Sequence, residues 1–114
     1  MGTHVLFRKW KQADDPILSS FVGDICALFP YECDSYDASD ECDSYYPIGQ
    51  HGMSNYEYVL SLTVPAKPEE YKELLDELVN LCGYDDLIVM KRVPNKHYAY
   101  KRRCKEVKKN KEIA

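Results

Sequence analysis

No two of the five cysteines (Cys26, Cys33, Cys42, Cys82, Cys104) stand at CxxC spacing, and none pairs with a histidine at a zinc-finger interval. That removes a zinc framework, and the odd count argues against a fully paired disulfide scaffold; free thiols in a reducing compartment are the expectation. No apolar run approaches the roughly 18 residues a membrane-spanning helix needs. The opening MGTHVLFRKW has no long apolar centre of a signal peptide, and Leu6 stands where a myristoylation signal wants Ser or Thr. A cytoplasmic protein without membrane association is therefore expected. The D-x-D-x-D-G order of a calcium loop is missing, and no nucleophile stands at a recognisable distance from a base. No metal, cofactor or catalytic residue is assigned, and a non-enzymatic role is the expectation.

What is present is tyrosine and segregated charge. The 114 residues suffice for one domain, and 45% of them are apolar. Ten are tyrosines, each with an apolar face and a hydrogen-bonding tip. The net charge of −4 hides two opposed halves. Residues 96–114 hold eight Lys/Arg against two Glu, whereas residues 1–95 hold seven Lys/Arg against seventeen Asp/Glu. An acidic body thus carries a basic tail.

Along the chain, HVLFRKW (4–10) and FVGDICALF (21–29) are rich in strand formers and suggest an antiparallel hairpin, joined by a turn-forming connector and stopped by Pro30. Residues 31–55 are acidic and show no clear period, which predicts a long loop of functional type. YEYVLSLTV (56–64) alternates, with Tyr56, Tyr58, Leu60, Leu62 and Val64 on one side, and predicts a third strand. PAKPEEYKELLDELVNLCGY (65–84) predicts a helix. Pro68 suits its first turn, Glu69 and Glu70 suit its positive end, Gly83 stops it, and Tyr71, Leu74, Leu75, Leu78 and Cys82 form its apolar stripe. LIVMKRV (87–93) predicts a fourth strand, and 97–112 a basic helix with a thin seam of Tyr100, Cys104 and Val107. The expected architecture is α+β. A small, mostly antiparallel sheet of about four strands carries one amphipathic helix in a domain spanning 1–95, with 96–114 as a basic C-terminal helix or tail.

The segments FRKW (7–10), GDICALFP (23–30), IGQHG (48–52), YEYVLSLTVPAKPEEYKELLDEL (56–78) and GYDDLIVMKR (83–92) resemble a group of small uncharacterised proteins of phages and bacterial mobile elements. The likeness runs to Arg92 and leaves the tail outside. It implies a mobile-element setting in a bacterial host, a small α+β fold and no particular reaction. The chain departs from that pattern before Ile48, where ECDSY occurs at 32–36 and again at 41–45; a tandem duplication of about nine residues accounts for it.

Four candidate sites follow. Gln50 and His51, between Gly49 and Gly52, suit contact with a ligand or partner, or else a turn in which both cap the backbone. The loop tyrosines Tyr36, Tyr45 and Tyr46, with Tyr31 and the neighbouring acids, would present flat rings and negative charge to a partner, as a mimic of nucleic acid does; a solvated acidic loop is the plainer alternative. Asp34, Asp37, Asp40, Glu41 and Asp43 could surround a hard cation, but they lack the spacing of a calcium loop. Lys101, Arg102, Arg103, Lys105, Lys108 and Lys109, beside Tyr98 and Tyr100, are the candidates for nucleic-acid binding. The leading expectation is a host-modulating accessory protein that binds a protein partner through 31–55. Nucleic-acid binding by the tail and a ligand site or enzyme centred on His51 are the alternatives. Homo-oligomerisation is also open, since Val59, Ile25 and Met90 could line an uncovered sheet face.

Overall fold

The computed structural model describes residues 2–11, 22–33, 41–46 and 50–113, without the side chains of 50, 51, 106 and 108–113. Its order is β1 (Thr3–Trp10), β2 (Ile25–Phe29), β3 (Glu41–Tyr46), β4 (Gln50–Asn55), α1 (Tyr56–Leu62), β5 (Thr63–Pro65), α2 (Pro68–Asn80), β6 (Leu87–Val89) and α3 (Lys96–Ile113). The fold is α+β. Six strands form one mostly antiparallel sheet in the order β4-β3-β2-β1-β5, and β6 also pairs with β1, in parallel.

The predicted β1–β2 hairpin is present, with Leu6 opposite Leu28 and Lys9 opposite Ile25. Two other expectations are corrected. Half of the supposed loop is sheet: β3 and β4 pair through six positions, from Glu41–Asn55 to Tyr46–Gln50, and β3 joins β2. The signal was hidden because β3 buries Ser44, a polar residue whose hydroxyl is satisfied by Ser54 across the strands at 3.0 Å.

The strand expected at 56–64 is instead α1 followed by the short β5. The Asn55 side chain accepts a hydrogen bond from the Tyr58 amide at 2.8 Å, the geometry of a helix N-cap. The residues α1 buries are Tyr56, Val59 and Leu62, spaced by three as a helix face requires. Burial breaks the alternation: Tyr58, grouped with Tyr56 in the strand reading, is 47% exposed, and Val59, placed on the other side, is 3% exposed.

Two cores lie on the two faces of the sheet. Val5, Phe7, Ala27, Phe29 and Tyr45 pack under Leu74 and Leu78 of α2, as the predicted stripe requires. Leu6, Trp10, Cys26, Leu28 and Cys42 pack under Tyr56, Val59 and Leu62 of α1 and Ala99 of α3. This second face is covered from within the chain. Val59 is in its core, Met90 packs against it, and Ile25 belongs to the opposite core, so the face does not call for a second copy. Gly83 stands at φ +79 just beyond α2, the left-handed position that favours glycine. At the other end of α2, Glu70 accepts from the Lys67 amide at 2.9 Å and pairs with Lys9 at 2.6 Å, tying the helix to β1.

Candidate functional site

α3 begins where Pro94 and Asn95 end the preceding segment. The Asn95 side chain accepts from the His97 amide at 2.8 Å, and the Asn95 carbonyl accepts from the Ala99 amide at 2.9 Å. Ten of its 18 residues are Lys, Arg or Glu, which propagate a helix well. The buried seam is Ala99, Arg103 and Val107: Val107 is as expected, while Ala99 and Arg103 take the places expected of Tyr100 and Cys104. Ala99 is small where the helix meets the sheet. Arg103, only 2% exposed, donates from Nη1 to the Pro30 carbonyl at 2.9 Å and lies 5.6 Å from the Tyr56 ring centre. An arginine in a helix seam reads as surface in a sequence, which explains the displaced expectation.

The anchored helix turns its other residues outward. Lys101 and Lys105 are exposed, Tyr98 is 50% exposed and Tyr100 is 43% exposed. Arg102 lies on one flank. Its guanidinium sits 4.3 Å above the Tyr31 ring and 5.8 Å from that of Tyr98, and it donates to the Tyr98 hydroxyl at 3.1 Å. Tyr31 is held edge-on between His4, at 5.1 Å, and Tyr98, at 5.7 Å. Burial raises the pKa of its hydroxyl, Tyr98 adds to this, and Arg102 opposes it. On the other flank, Lys96, His97, Tyr100 and Arg103 face Tyr56 and Glu57 of α1 across a cleft of about 330 Å³. Lys96 meets Glu57 there at 3.3 Å. Half-exposed rings among ammonium and guanidinium groups can stack on bases and contact phosphates.

The candidates read from the sequence scatter. Tyr45 is 1% exposed, sits in the α2-side core and donates to Glu77 Oε1 at 2.9 Å, so its ring is not presented to a partner. Tyr46 is half-buried, stacks on Trp10 at 6.4 Å and bonds Ser54 at 2.8 Å. Tyr36 lies outside the described residues, as do Asp34, Asp37 and Asp40. Gln50 and His51 fall on β4, opposite Tyr46 and Tyr45, where a loop had been expected; their side chains lie outside the described residues. Lys101, Arg102 and Lys105 share the outer surface of α3, Arg103 is in the core, and the side chains of Lys108 and Lys109 are outside the described residues. Tyr31 was missed as a partner of Arg102 because it is distant in sequence. The Tyr98 and Arg102 pair, four residues apart on a helix, was the available signal.

Among the described residues no group of three or more His, Cys, Asp or Glu could hold a metal, and no helix is long and apolar enough to cross a membrane. Comparison with protein-family models, curated proteins and solved structures returns no match.

Proposed function

We propose that the protein is a non-enzymatic accessory protein that binds single-stranded nucleic acid through the outer surface of α3. In the mobile-element setting implied by the resemblance, the strand would belong to the element or its host. The observation that carries this reading is the placement of the half-exposed Tyr98, with Arg102 against it, on the same side of a seam-anchored helix as the exposed Lys101 and Lys105. Unpaired bases offer faces for such a ring, whereas bases in a duplex are already stacked. The net charge of −4 does not oppose it, because charge is sorted by layer. Asp24, Glu70, Glu73 and Glu77 line a cleft on the α2 side of the sheet, and α3 covers the other side. The test is fluorescence polarisation of a labelled oligothymidylate against salt. Binding should weaken linearly on a log–log plot, with a slope of about −0.7 per phosphate contacted. Lys101→Glu with Lys105→Glu should flatten that slope, and Tyr98→Ala should cost about 1–3 kcal/mol. Absence of salt-sensitive binding at low ionic strength would reject the reading.

A second reading, a protein partner at residues 31–55, draws support from β4, which has β3 on one side and no strand on the other among the described residues. Such an edge accepts an added strand. Gly52 is exposed, with nothing within 4 Å of an added Cβ, so Gly52→Lys should block strand addition without disturbing the fold. Capture of the same partner by wild type and by Gly52→Lys would rule this reading out.

A further inference from the structure

β5 and β6 share one edge of β1 from opposite ends. β5 runs antiparallel against Arg8–Trp10, and β6 runs parallel against Thr3–Val5, so their carboxyl ends approach each other beside Leu6 and Phe7. There the chain diverges. After Pro65, the Ala66 amide donates to the Phe7 carbonyl at 3.1 Å and the chain leaves for α2; after Val89, the Met90 amide donates to the Val5 carbonyl at 2.9 Å and the chain leaves for α3. The two helices cover opposite faces of the sheet. Chain segments that part to opposite faces at this point leave a gap along the edge of β1 between the two strand ends.

The gap is a crevice of about 290 Å³. Phe7 and Tyr71, stacked at 4.4 Å and 10° apart, form part of its wall with Pro65 and Val93. Its charged lining residues are Arg8 and Lys91, and among the described residues no carboxylate lines it. Lys91 is exposed at the rim. Arg8 is buried and commits Nε to Thr63 Oγ1 and Nη2 to the carbonyls of Thr63 and Leu60, leaving Nη1 without a hydrogen bond among the described residues.

We infer that this crevice binds a small amphipathic anion, its apolar body against the Phe7–Tyr71 wall and its single negative head at Lys91 and Arg8. The inference is independent of nucleic-acid binding by α3, since the lining includes no α3 residue. Full-length protein is titrated with octanoate and with naphthoate, alkyl and aryl forms of the same chemistry, and with octanol as the neutral control, while backbone amide NMR shifts are followed. Saturable one-to-one shifts confined to Ala66, Tyr71, Val89 and Met90 are expected with at least one anion, and the better anion identifies the body. Lys91→Glu should weaken the anion roughly tenfold while sparing octanol. Val93→Trp, at a half-exposed position, should fill the crevice and weaken all three probes, with the thermal midpoint of each variant confirming its fold. No saturable shift with either anion, shifts spread over the surface, or equal anion affinity in Lys91→Glu would each overturn the assignment.

Discussion

Arg103 and Lys101 are two residues apart in one helix and have opposite fates. Arg103 satisfies the Pro30 carbonyl inside the core, while Lys101 stands in solvent. Arg103→Ala leaves both a cavity and a buried carbonyl without its donor, and should lower unfolding free energy in a urea titration by about 3 kcal/mol. Lys101→Ala should stay within about 0.5 kcal/mol. The cysteines divide in the same way. Cys26, Cys33 and Cys42 are buried, and Cys82 and Cys104 are partly exposed. Burial pushes the Cys26 and Cys42 thiols up to about 12, against a smaller opposing pull from Arg8 and Arg103 respectively. An acid whose pKa is raised by folding stays protonated in the native state while the unfolded chain ionises near its ordinary value of about 8.5. These thiols therefore leave stability intact below about pH 8.5 and remove it as pH rises toward their folded values. A disulfide-exchange reagent at pH about 8 should titrate two thiols quickly and the other three only on unfolding, in line with this division.

At the scale of elements, α1 depends on its cap, since seven residues are too few for a helix to persist alone. Asn55→Ala should cost about 1 kcal/mol, measured by thermal or urea unfolding. Gly83→Ala should cost about 1–2 kcal/mol for a different reason, because an added Cβ meets nothing within 4 Å and only the left-handed backbone resists it. Both losses should appear without any change in the α3 surface, so oligonucleotide binding by the folded variants should match wild type.

For the whole molecule, the decisive arrangement is a sheet between an acidic helix layer and a basic one. α3 supplies Ala99, Arg103 and Val107 to the core, so it belongs to the folded body even though its outer surface reads as a tail. A chain ending at Asn95 would uncover Leu6, Trp10, Leu28 and Tyr56, and it should lose its cooperative melt and bind a hydrophobic dye. A cooperative melt from that truncated chain would show that α3 is not needed as a layer. Charge-reversal variants of exposed lysines, which spare the seam, are therefore the sound way to probe the basic surface.

The sequence alone determined the elements whose patterns are local. The β1–β2 hairpin followed from runs of strand formers stopped by Pro30. α2 followed from its apolar stripe, its acidic first turn and Gly83, and the excess of Lys and Arg after residue 95 marked the basic helix. Tertiary structure decided what depends on distant partners. Ser44 and Tyr45 are sheet residues because Ser54 and Glu77 satisfy their hydroxyls. Tyr56–Leu62 is a helix because it has a sheet to cover and Asn55 to cap it. Arg103 lies inside because the Pro30 carbonyl awaits it 73 residues away in sequence. The candidate surface shows the same division. Its lysines and tyrosines were legible as composition, but which of them face solvent was fixed by the contacts that bury the rest, and burial is a property of the packed chain.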